Sequence, residues 1–133
     1  MTVKLNTTLR NSIVDGIVSY IGGIGNGQLR IYTGSAPADP NSAATGTLLV
    51  TIDYNNFGLG ASSAGSAALG GNETGVAVAT GTAGWGRWSD VADTYRVDGS
   101  VGTGGTDFII TNTTITNGGT VTLTGCTLSQ PVS

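Results

Sequence analysis

Thr47-Leu-Leu-Val-Thr-Ile-Asp-Tyr54 decides the class of this chain. Leu48, Val50, Ile52 and Tyr54 stand at every second position, the spacing that puts side chains on one face of a strand, while Leu49, Thr51 and Asp53 make the other face half polar. Upstream, Gly25-Asn26-Gly27 signals a turn, and Leu29, Ile31 and Thr33 alternate with Gln28, Arg30 and Tyr32 as a second strand with one inward face. The segment between the two strands, Thr33 to Gly46, carries Pro37 and Pro40 among small polar residues, which predicts an irregular loop over the surface.

Downstream, the same period of two returns in short runs: Val76–Thr80, Gly84–Ser89, Tyr95–Asp98, Asp107–Thr111 and Thr120–Leu128. Asp98-Gly99, Gly102–Gly105 and Asn117–Gly119 each offer the positive φ of a tight reversal. About seven short strands at this spacing predict a mainly β fold, a β-sandwich or jelly-roll-like barrel. Residues 58–71 are nearly all Gly, Ala and Ser, too small to hold a core, and predict a long loop or an arm that orders against a neighbour.

Only the N-terminal segment follows the helical period. Leu5, Leu9, Ile13 and Ile17 recur every four residues, widened by Val14, Tyr20 and Ile21, with Arg10, Asn11 and Asp15 on other faces. Asn6, Thr7 or Thr8 can cap the start and Gly22-Gly23 the end, which predicts a helix over about 7–20 packed on the sheet by that stripe.

The 133 residues suit one domain. Charged residues make up only 10% of them, so the surface is dominated by Gly, Ser, Thr and Asn and can pack against other copies with little charge to desolvate. The net charge is −3, and Lys4, Arg10, Arg30, Arg87 and Arg96 are scattered singly, which argues against nucleic acid as a partner. No stretch has the roughly 18 apolar residues of a membrane span and the start lacks a signal-like apolar core, so synthesis and folding in a cytoplasm are expected, with no membrane partner.

Chemistry is sparse. With no histidine, the usual general base, metal ligand and Ser-His or Cys-His pairs are missing, and neither catalysis nor a cofactor is expected. Asp90, Asp93 and Asp98 lie close in sequence, but they lack the alternating pattern and bidentate glutamate of a calcium loop and read as turn-forming aspartates. Gly22-Gly-Ile-Gly-Asn-Gly27 follows a helix and precedes a strand, the reverse of a phosphate-binding loop. Cys126, the only cysteine, falls in an alternating apolar stretch that suits a small buried hydrophobe.

The remaining candidates are Trp85, Arg87 and Trp88. On a regular strand the two tryptophans face opposite ways, so one enters the core easily and the other is left for packing within the chain, an interface or, less readily, a sugar.

Three segments taken in order resemble a family of small virion-associated proteins of tailed bacteriophages. They are Leu5-Asn-Thr-Thr-Leu-Arg-Asn-Ser-Ile-Val-Asp15, Leu29-Arg-Ile-Tyr-Thr-Gly-Ser-Ala-Pro-Ala38 with Ala43-Ala-Thr-Gly-Thr-Leu-Leu49, and Gly81-Thr-Ala-Gly-Trp-Gly-Arg-Trp-Ser-Asp90 followed by Asp98-Gly-Ser-Val-Gly102. The resemblance runs from about Leu5 to Leu128. It implies a non-enzymatic structural component of the virion, a decoration or cement protein of the capsid, with the major capsid protein and copies of itself as partners. A neck, tail or fibre subunit is the alternative within the virion, and a carbohydrate-binding module the alternative outside it.

Overall fold

The computed structural model describes residues 3–22, 27–53, 62–68 and 73–129. Among these residues helix α1 (Thr7–Gly22) is followed by nine strands: β1 (Gln28–Thr33), β2 (Leu48–Asp53), β3 (Ser66–Ala68), β4 (Glu73–Val76), β5 (Gly81–Ser89), β6 (Arg96–Gly102), β7 (Phe108–Ile110), β8 (Thr114–Ile115) and β9 (Thr120–Ser129). The fold is mainly β with one N-terminal helix packed on the sheet, the class read from the sequence. Its strands form a single curled sheet in the order β2-β1-β5-β6-β7-β9-β3, with β4 also paired to β9 and β8 to β5. Beyond β4, the Val78 N–H donates to the Leu49 carbonyl at 2.8 Å, which brings this end of the sheet round to β2.

Curling lets one sheet enclose a core. Leu29, Ile31, Val50, Ile52, Val101, Phe108, Ile110, Leu123 and Cys126 converge inside, and Val14 and Ile21 of α1 close the cluster. The helix departs from its expected packing. Asn6 is its cap, the Asn6 Oδ1 accepting the Leu9 N–H at 2.9 Å. The buried positions are Val14 and Ile21, with Ile17 and Val18 packed beside them, whereas Leu9 is 48% exposed. The contact therefore uses the later part of the wide stripe, Val14, Ile17 and Ile21, with Val18 beside it, while Arg10, Asn11 and Asp15 bond to residues 62–65. The Arg10 Nη1 donates to the Ala64 carbonyl, the Asn11 Oδ1 accepts the Gly65 N–H at 2.8 Å, and the Asp15 Oδ1 accepts the Ser62 N–H at 3.2 Å.

Those contacts order part of the small-residue stretch on its own chain. Ser63 and Ser66 bridge across a turn in which Ala64 (φ 51°) and Gly65 (φ 80°) are both left-handed, and β3 then pairs with β9 through Ser66–Ser129, Ala67–Leu128 and Ala68–Thr127. Residues 58–61 and 69–71 of the stretch, Tyr54 and the Gly23–Asn26 part of the glycine run lie outside the described residues.

Three further readings change. The strand read at Val76–Thr80 is centred earlier, on Glu73–Val76, because the chain leaves β9 after Val76 and bonds to β2. Asp98-Gly99 is no turn but the middle of β6, opposite Arg87 and Gly86. A Cβ at Gly99 would stand 2.9 Å from Asp107 Cβ and Phe108 Cε2, so the glycine serves a close approach between strands. Finally, Leu49 is buried together with Val50 and Ile52, since the β1–β2 register shifts at Ile31/Tyr32 and turns Leu49 inward.

Candidate functional site

β5 is the central strand on which the predicted residues meet. Trp88 lies among the core residues, and Trp85 and Arg87 lie on the opposite face beside Tyr32 of β1 and Asp98 of β6. All three predicted residues are about 1% exposed, so none offers surface to a partner on the folded chain. A two-sided strand escapes the either-or choice because both of its faces are covered.

The cover on the outer face is the segment 34–46, which joins β1 to β2. The Trp85 Nε1 donates to the Thr45 carbonyl at 3.2 Å, and the Arg96 Nη1 donates to the Pro40 and Asn41 carbonyls, each at 3.2 Å. Beneath it, Trp85 stacks on Tyr32 with centroids 4.8 Å apart and an interplanar angle of 16°. The Arg87 guanidinium carbon lies 5.4 Å from the Trp85 ring centroid, within cation–π range.

Arg87 is held from its other side by a forked bond to Asp98, Nε to Oδ1 at 2.7 Å and Nη2 to Oδ2 at 2.9 Å. Hydrogen bonding to Asp98 raises the Arg87 pKa above its ordinary value against the opposing effect of burial. Arg30 stands directly across from Arg87 in the β1–β5 ladder, and the two like charges are handed to different groups. Arg30 donates to the Gln28 Oε1 at 2.6 Å and to the Ser89 Oγ at 3.2 Å, and lies 3.8 Å from Asp93.

The three clustered aspartates therefore have three separate duties. The Asp90 Oδ1 accepts the N–H groups of Thr94 and Tyr95 at 2.7 and 2.8 Å and shapes the β5–β6 connection, as expected of a turn aspartate. Asp93, left-handed at φ 58°, pairs with Arg96 at 2.9 Å. Asp98 departs from the turn reading, since it is the partner of Arg87. Among the described residues no three His, Cys, Asp or Glu side chains gather as a metal site.

Cys126 is the buried hydrophobe its setting suggested. Burial, reinforced by the charge of Asp107, pushes its thiol up to about 12. It lines a cavity of about 280 Å³ with Trp88, Val97, Asp98, Phe108 and Leu128. A shallower groove of about 360 Å³ runs between Ile17, Tyr20 and Ile21 of α1 and Thr94–Val97.

Sequence reasoning passed over the apolar residues that stay outside. Val76 and Val78, each 61% exposed, precede β5 in the chain, and Val91, Tyr95 and Tyr20 are also exposed, the two tyrosine rings 5.2 Å apart. Hydrophobicity alone marked these residues as core candidates, so only the tertiary structure could expose them. No family model, curated protein or solved structure matches this chain.

Proposed function

We propose that the chain is a non-enzymatic structural component of a tailed-phage virion, a decoration protein that binds the head lattice and stabilises it. The observation that supports this reading is the apolar surface left outside the core, Val76 and Val78 beside β9 and β2 and the Tyr20–Tyr95 pair between α1 and the β5–β6 connection. Apolar surface at two separate places suits a subunit that meets more than one neighbour, and among the described arginines Arg30, Arg87 and Arg96 spend their charge on carboxylates of the same chain. Such contacts depend little on salt.

The mechanism is linkage. A subunit that binds only the closed lattice stabilises it as the logarithm of its concentration over its dissociation constant, and many copies multiply a modest contact. The test uses particles made with and without the protein. Particles lacking it should assemble and then release DNA at lower temperature, and adding purified protein should restore heat stability in proportion to occupancy. Equal heat stability, with failure of head–tail joining or of adsorption instead, would overturn the capsid placement and favour the neck, tail or fibre. Absence of the protein from purified particles would overturn the virion reading altogether.

A further inference from the structure

We infer that the sheet has an open strand position between β6 and β9, and that the Val3–Leu5 segment of a second copy of this chain fills it. The inference does not depend on the virion reading, and the purified protein alone tests it.

The position follows from unequal strand lengths. β7 separates β6 from β9 but is only 3 residues long, pairing with β6 at Val101 and Gly102 and with β9 from Leu123 to Cys126. Ahead of Phe108, β6 extends back to Arg96 and β9 on to Ser129, and among the described residues no strand lies between them. Strands on either side of a missing one stand about 9.5 Å apart, twice the usual spacing. The cavity of about 280 Å³ that holds Cys126 occupies this gap, lined by Val97–Gly99 of β6 and Cys126–Ser129 of β9. Backbone groups point into it. The Ser100 N–H is turned to the β7 side, where the Asp107 Oδ2 accepts it at 2.9 Å, and alternation along the strand aims the Asp98 N–H and carbonyl the same way. An edge of this kind is a template for an added strand.

The two sides of the gap select the occupant. Trp88, Val97, Phe108, Cys126 and Leu128 make the inner side apolar, while Asp98, Asp107, Thr127 and Ser129 make the outer side polar. Asp98 is committed to Arg87, but Asp107 pairs with no lysine or arginine among the described residues. The gap therefore calls for an extended segment with apolar residues at alternate positions and a cation between them. Val3-Lys4-Leu5 has that pattern. It lies outside helix and strand, ahead of the Asn6 cap; Val3 is 78% exposed, and Lys4 makes no hydrogen bond or ion pair among the described residues. Seated in the gap, Val3 and Leu5 enter the apolar side and Lys4 faces Asp107. A neighbour supplies the segment because the start of α1 is fastened beside β3, through Arg10 on Ala64, and β3 lies on the opposite edge of β9 from the gap.

Sedimentation equilibrium of the full chain, run beside amide hydrogen exchange, tests this. The mass should rise above that of the monomer at or below about 1 mM, the weak end of specific association, and Asp98 N–H exchange should slow as the associated fraction grows. Val3→Asp should raise the dissociation constant at least about tenfold, since it carries a charge into the apolar side. Lys4→Glu should raise it about threefold, and Lys4→Glu combined with Asp107→Lys, its far-UV spectrum unchanged, should return it to within about twofold of the unaltered chain. A chain still monomeric at about 1 mM would overturn the inference. So would association indifferent to Val3→Asp, a charge swap that recovers nothing, or an Asp98 N–H equally protected in the monomer.

Discussion

Trp85 and Trp88 stand three residues apart on one strand and are equally buried, yet they are buried by different things. Trp88 is part of a core assembled from the aliphatic side chains of eight strands and of α1, whereas Trp85 is roofed by a proline-containing loop hung from two glycines. Equal burial therefore does not mean equal contribution. Apolar contacts inside a close-packed cluster leave a cavity when removed, while a roof that carries no core residue can settle onto a smaller side chain.

The largest effect follows directly. Trp88→Ala should cost about 3–5 kcal/mol in urea unfolding, the range for emptying a large packed site, and Trp85→Ala should cost about half as much. Equal losses would mean that the loop over Trp85 packs like core.

The charged pair on the outer face sharpens the contrast. Arg87→Met alone should cost about 3–5 kcal/mol, because it strands the Asp98 carboxylate, whose side chain is 8% exposed, without a partner. Adding Asp98→Leu should recover most of that loss, since replacing a whole buried pair with apolar groups is close to neutral. If the double variant were as unstable as the single one, packing rather than charge would hold this face together.

On the helix, Ile21→Ala should cost about 2–4 kcal/mol and Leu9→Ala less than about 0.5 kcal/mol by the same measurement. The reverse order would restore the Leu5–Ile17 line as the packing face.

A last effect, confined to alkaline pH, belongs to Cys126 on the inner face. Its thiol is neutral in both folded and unfolded chains below about pH 9, so stability there owes nothing to its titration. Between about 9 and about 12 the unfolded thiol ionises and the folded one does not, so stability should fall by up to about 1.4 kcal/mol per pH unit. Cys126→Ala should remove that part of the alkaline slope, and an unchanged slope would place the thiol in contact with water.

Periodicity carried the class and most of the strands, and it carried the helix with Asn6 among three candidate caps, because alternation and capping are local properties of the chain. The same locality limited it at Asp98-Gly99. An Asp-Gly pair looks like a turn until the strand across from it supplies an arginine and the strand beyond it needs the space of a missing Cβ. The β3 strand was equally hidden, since Ser66, Ala67 and Ala68 have no pattern of their own and order through α1 and β9.

By itself, then, the sequence determined that this protein would be a weakly charged, mainly β chain with one amphipathic helix, since period, turn residues and composition act within a few residues of one another. Which side of that helix meets the sheet, that both tryptophans are buried, that Arg87 belongs to Asp98, and which valines and tyrosines stay outside were decided only by the tertiary structure. The physical reason is that burial and charge pairing depend on what lies across a strand or under a loop. Partners such as Arg96 and Pro40, 56 positions apart, become neighbours only when the sheet curls.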